Sequence, residues 1–188
     1  MKMPALAALI AALFLPMPAL AAAKAHAVAH IAGRDGRSLG VINFSAADPG
    51  VLIEMDLHGL PPGPHAIQIH TSGNCDTRTA FTSAGPVWSL TPGRQHGFLA
   101  KGGPLSGDLP NQFADSGGRL HAETLTTAFN LGNGRKSVFD RDGAAIMVLA
   151  RGDDYLSQPG GNAGERIACG VIDRTIGPAS RHKRPKPR

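Results

Sequence analysis

The octapeptide Val51-Leu52-Ile53-Glu54-Met55-Asp56-Leu57-His58 alternates apolar and polar residues from Ile53 onward. A period of two places Ile53, Met55 and Leu57 on one face and Glu54, Asp56 and His58 on the other, the signature of a half-buried strand. Shorter segments of the same kind run over 26–32, 39–45, 65–70, 109–114, 119–125 and 165–172, and 144–150 is continuously apolar. Between them stand turn sequences such as Gly33-Arg34-Asp35-Gly36, Asp48-Pro49-Gly50 and Asp115-Ser116-Gly117-Gly118, whose residues favour tight reversals for distinct steric and hydrogen-bonding reasons. Eight such strands predict an all-β domain, a flattened Greek-key barrel or sandwich. Two long loops, 71–107 and 151–164, carry no periodicity; connections of that length are functional or pinned more often than idle. In segment 65–70, Ile67 and Ile69 are expected to face the core, which sends Gln68 and His70 together to the opposite face.

Residues 1–23 read as a secretory leader, with Lys2 before an apolar stretch and Ala19-Leu20-Ala21 as a small-residue cleavage site after Ala21 or Ala23. The apolar stretch is too short to span a bilayer as a helix, so a periplasmic or secreted product is expected. Export permits a disulfide, and Cys75 and Cys169 allow one pairing; the alternative is two free buried thiols. A crosslink closing nearly a hundred residues is worth ~4–5 kcal/mol by chain entropy. The net charge of +5 is not a property of the domain. Lys2 leaves with the leader, and Arg181, Lys183, Arg184, Lys186 and Arg188 carry the excess in a proline-containing tail without apolar residues. The expected organisation is therefore a leader over 1–23, a domain over 24–173 and a disordered basic tail over 174–188.

Five motifs in order, Gly40-Val41-Ile42-Asn43-Phe44, Ser83-Ala84-Gly85-Pro86, Gly107-Asp108-Leu109-Pro110, Asp153-Asp154 and the run from Gly161 to Ile172 around Glu165-Arg166-Ile167-Ala168-Cys169, resemble the copper/zinc superoxide dismutase family in its bacterial secreted form. The resemblance covers almost the whole mature domain. It implies a copper site of four nitrogen ligands, a neighbouring zinc site sharing one of them, and an arginine, here Arg166, that guides the anionic substrate.

Set against that pattern, most ligand positions have changed. Of the His-x-His pair on segment 65–70, His70 remains and Gln68 replaces its companion. Val87 stands where the bridging histidine follows Ser-Ala-Gly-Pro, and Leu149 where the last copper histidine falls. For zinc, His96 and Asp108 match ligand positions and Leu105 replaces the third. Asp153 matches the aspartate that links the two sites. An amide is a poor donor to copper and an aliphatic side chain none at all, so no cofactor is expected beyond copper or zinc at a degenerate site.

Each survivor also has a plain structural use. His70 can be a half-buried polar residue on the sheet face, His96 a solvated histidine in a polar loop, and Asp108 a turn residue. Arg166 can pair with Asp153 or Asp154, or with backbone carbonyls of the pinned loop. Val87, Leu105 and Leu149 gather where ligands would converge, and can either repack that space or form an apolar patch for a partner or small ligand.

These readings lead to a superoxide dismutase-like pseudoenzyme, an exported binding or structural module. Its basic tail would favour an anionic envelope surface or polymer. An unidentified protein or small ligand, or a second copy in a homodimer, are the other expected partners; nucleic acid and a membrane-spanning segment are not expected. The alternatives are a copper- or zinc-handling protein using His70, His96, Asp108 and terminal histidines such as His26, His30 and His182, or a residual dismutase with a rearranged site. No Gly-x-Ser-x-Gly, His-Glu-x-x-His or phosphate-loop motif offers other chemistry.

Overall fold

The structure, a computed structural model, describes residues 26–175. The expected leader and the tail cations Arg181, Lys183, Arg184, Lys186 and Arg188 lie outside the described residues. Ten strands follow one another: β1 His26–Gly33, β2 Ser38–Ala46, β3 Val51–Leu57, β4 Gly63–His65, β5 Ile67–His70, β6 Gln112–Ala114, β7 Leu120–Thr126, β8 Ala145–Leu149, β9 Arg166–Val171 and β10 Asp173–Thr175. Eight form one antiparallel sheet in the order β5-β8-β9-β1-β2-β3-β7, with β10 paired to β1, and β4 and β6 make a separate two-stranded ribbon. The sheet curls into a half-barrel around its apolar face. The all-β expectation therefore holds.

The alternation read from β3 is realised residue by residue: Ile53, Met55 and Leu57 are buried and Glu54 and Asp56 exposed. They join Ile42, Phe44, Ile67, Ile69, Leu120, Ile146 and Val148 in the main core. Burying each of these side chains stabilises the fold by ~1.5–3 kcal/mol before entropy is counted. A second, smaller cluster lies across β8, where Phe81, Ala84, Met147, Leu149 and Ala163 pack around Cys169. Cys75 and Cys169 form the disulfide, with Cα atoms 5.7 Å apart and a sequence separation of 94.

Beyond shifts of one residue at strand ends, three boundaries differ from the expected ones. Segment 65–70 is two strands, because at Ala66 the chain leaves β6 for β8: Ala66 N–H donates to Arg151 O and Ala66 O accepts from Leu149 N–H. Segment 109–114 is ordered as a strand only from Gln112, since Pro110 has no N–H to offer a ladder. Arg174 and Thr175, placed by the sequence in the tail, pair with Ala27 and His26 as the end of β10.

Candidate functional site

Strand β5 supplies the floor. All four of its residues are buried, so Gln68 and His70 do share one face, but that face is covered and not half-exposed. The cover is loop 71–111, seated on the edge of β5 by two single bridges, His70 to Val87 and Gln68 to Asp108. Trp88 N–H donates to Ile69 O and Ile69 N–H to Gly107 O, each at 2.8 Å. The loop itself is tethered by the disulfide and by Arg166 on β9. Arg166 donates through Nη1 to Phe81 O at 2.7 Å and through Nη2 to Gly85 O at 2.8 Å. It pairs with loop carbonyls, as one of the structural readings expected, and with neither aspartate.

His70 Nδ1 lies 2.8 Å from the same Gly85 O. A carbonyl oxygen only accepts, so Nδ1 carries the proton and Nε2 presents a lone pair. Burial holds the imidazole neutral; the Gly85 carbonyl pulls the other way and the Arg166 charge adds to the lowering, leaving a pKa of about 4. His70 Nε2 and Gln68 Nε2 are both buried and have no hydrogen-bond partner.

Across the cleft, the loops bring His96, Asp108 and Asp153 together. His96 Nδ1 donates to Asp108 Oδ1 at 2.7 Å, and His96 Nε2 stands 2.8 Å from Asp153 Oδ2 in a contact off the line of the ring N–H. The expectation of a solvated His96 is overturned, since its side chain has no accessible surface. Asp108 is more than a turn residue, because its other oxygen accepts Gly97 N–H and Leu105 N–H, each at 2.8 Å. Burial opposes charge on His96, but the bonds and charges of Asp108 and then Asp153 outweigh it and raise the pKa above its usual 6.5. Gly161 lies against this group: a Cβ there would overlap Asp153 Oδ1, and its φ of +67° suits glycine.

The aliphatic replacements divide. Leu149 is buried in the second core cluster, whereas Val87 and Leu105 are half-buried. With Gln68, His70 and Arg166 they line an open cleft of about 720 Å³. Repacking is thus partial, and an apolar wall remains. His26 and His30 lie on β1 and do not line this cleft.

Three residues of this region went unnoticed in the sequence. His65 is buried with Nδ1 2.6 Å from Leu149 O and Nε2 2.7 Å from Pro61 O, joining the ribbon to β8. Asn111 braces Asp153, its Oδ1 accepting Asp153 N–H at 2.8 Å and its Nδ2 donating to Asp153 O at 2.9 Å. Gln158 does the same for the His96 backbone at 3.1 and 2.8 Å. A polar residue beside a proline was the one signal for His65; the other two sit in or beside loops without period.

Comparison with known proteins decides the family. The pattern described as copper/zinc superoxide dismutase (SODC) matches residues 38–172. The chain belongs to the copper/zinc superoxide dismutase family. A superoxide dismutase [Cu-Zn] of Caulobacter vibrioides is 41% identical over 148 residues, 78% of this chain and 84% of that one. A superoxide dismutase-like protein of Bacillus subtilis is 32% identical over 145 residues, covering 76% and 73%. The crystal structure of a SOD-like protein from Bacillus subtilis superposes with a TM-score of 0.73 at 31% identity, over 77% of this chain and 96% of that one. The family thus contains relatives named as dismutases and others named only as dismutase-like.

The residues present do not fit the family's two metals. At the copper positions, only His70 offers a free nitrogen lone pair, since Val87 and Leu149 have none and Gln68 is an amide. At the zinc positions, the donor atoms of His96 and Asp108 are bonded to each other, and Val87 and Leu105 complete the set with hydrocarbon.

Proposed function

We propose that this protein is a metal-independent member of the superoxide dismutase family, an exported binding or structural module and not a dismutase. The observation that carries the reading is the 2.7 Å bond between His96 and Asp108. Two groups that the family turns toward zinc bond to each other, and Asp153 Oδ2 lies 2.8 Å from the histidine's other nitrogen without a hydrogen bond. His96 Nδ1 and both oxygens of Asp108 are thus engaged within the protein. Export is supported by the leader-like composition of residues 1–23 and by the Cys75–Cys169 bond, since such bonds persist in oxidising compartments. In this reading the cations from Arg181 onward add attraction to an anionic envelope surface, on the order of 1 kcal/mol each at low salt.

The test is metal titration of the mature, disulfide-intact protein with Cu(I), Cu(II) and Zn(II), followed by a dismutase assay. Neither stoichiometric binding nor activity above that of free metal is expected. Tight one-to-one binding that disappears in a His70→Ala/His96→Ala double variant would overturn the proposal and favour the metal-handling alternative, whose support is the free lone pair of His70.

A further inference from the structure

The cleft keeps polar groups that its own structure leaves unused. Gln68 and His70 are each only 2% exposed, and both line the cleft. A buried donor or acceptor without a partner is an exception in a native protein; besides His96 Nε2, which lies against Asp153, two such atoms stand two residues apart on the same face of β5. Their demands are complementary. His70 Nε2, with the proton fixed on Nδ1 by Gly85 O, accepts a hydrogen bond. The Gln68 amide nitrogen donates one.

The third group is Arg166. Phe81 O and Gly85 O take one N–H from each terminal nitrogen, which leaves further guanidinium donors and a positive charge on the cleft wall. Leu149 stands beside it, paired in register across β8 and β9, and Val87 and Leu105 extend the apolar side. A cleft of about 720 Å³ is of a size that holds small organic molecules.

We infer that this cleft binds a small aliphatic hydroxycarboxylate: carboxylate on Arg166, hydroxyl between His70 Nε2 and Gln68 Nε2, and alkyl group on Val87 and Leu105. A hydroxyl is the simplest group that gives a proton to one neighbour while accepting from another. An inorganic oxoanion would satisfy Arg166 but leave the aliphatic wall wet, and a plain fatty acid would leave His70 without a donor. The inference rests on the metal-independent reading, because a copper ion on His70 would consume the same lone pair.

The test is calorimetric titration of the mature, disulfide-intact protein, stripped with chelator and its metal content measured. The probes are 2-hydroxy-4-methylpentanoate and 4-methylpentanoate, which differ by the one hydroxyl, with inorganic phosphate as a third ligand. The hydroxy acid is expected to bind one-to-one, and the acid lacking the hydroxyl about tenfold or more weaker, since it leaves a buried acceptor unpaired. Gln68→Leu, which keeps the size of the side chain, is expected to weaken the hydroxy acid by a similar factor with its thermal midpoint unlowered. Phosphate, which engages Arg166 alone, is expected to compete only at about tenfold or higher concentration, and displacement of the hydroxy acid by equimolar phosphate would overturn the inference. Failure of the hydroxy acid to bind, equal binding of the two acids, or an unchanged Gln68→Leu affinity would overturn the inference. Repeating the titration after adding one equivalent of Cu(I) separates the two readings. Copper that binds and blocks the acid defeats the metal-independent reading alone, while no binding of either copper or acid defeats the inference alone.

Discussion

The two halves of the cleft depart from the family's ligand pattern in opposite ways. On the zinc side the remaining ligands closed on each other: His96 sits between Asp108 and Asp153, and both oxygens of Asp108 are engaged. On the copper side the replacements are mostly hydrocarbon, and the two polar residues left on β5 are stranded without partners. The difference shows that changed ligand positions can be answered by pairing or by packing. Pairing needs complementary charges already within reach, which the loops supply at His96. Packing fills volume but cannot satisfy a leftover imidazole, so His70 keeps a free lone pair, whereas His96 Nδ1 and both oxygens of Asp108 are engaged.

The largest effect is expected where packing replaced a ligand. Leu149→Asp would place an unpaired carboxylate in the second core cluster, and a loss of about 4 kcal/mol or more is expected in urea unfolding. An unchanged midpoint would mean that this side is loosely filled and the contrast false. Next is Asp108→Ala, which strips the acceptor from His96, Gly97 N–H and Leu105 N–H at once. It should lower stability by about 3 kcal/mol, and a loss under about 1 kcal/mol would show the pairing to be incidental.

Acidity separates the halves without mutation. The folded pKa of His70 is depressed, so below the ordinary value of 6.5 the unfolded chain takes up a proton that the folded one refuses. Stability should therefore fall as pH drops from 6.5 toward about 4, by on the order of 3 kcal/mol, and His70→Gln should flatten that limb. The folded pKa of His96 is raised, so its contribution is complete below 6.5 and is lost as pH climbs through the raised value. Asp108→Ala should remove part of that alkaline loss. Urea midpoints across the range check both limbs; two limbs unmoved by these variants would assign the dependence elsewhere. The smallest effect is Gln68→Leu, which deletes an unsatisfied amide and should be neutral or stabilising by about 1 kcal/mol. A clear destabilisation would reveal that the amide is already partnered.

Sequence patterning reached the copper side far better than the zinc side. Alternation alone put Gln68 and His70 on one face, and a conserved spacing was not required, because strand geometry fixes side-chain direction at every second residue. Arg166 and Cys169 sit on β9, but Arg166 was legible through the family resemblance and Cys169 as one of only two cysteines. Loop residues have no such rule. That His96 is wholly buried depends on Gly161 allowing a second loop to lie against it, and on Asn111 and Gln158 bracing the backbone. Those are contacts between segments distant in sequence, and no local period encodes them. The family resemblance identified the positions of His96, Asp108 and Asp153 but not that the first two would bond directly.

That direct bond changes how such a chain can mature. In a protein whose loops are drawn together by an ion, the final shape waits on delivery of that ion. Here the loop carrying His96 is drawn in by the protein's own carboxylates, and the loop beside Arg166 is fastened by joining Cys75 to Cys169. In the metal-independent reading proposed above, maturation depends on an electron acceptor for two thiols and not on the local supply of a trace element. A scaffold with that requirement keeps its shape in metal-starved surroundings.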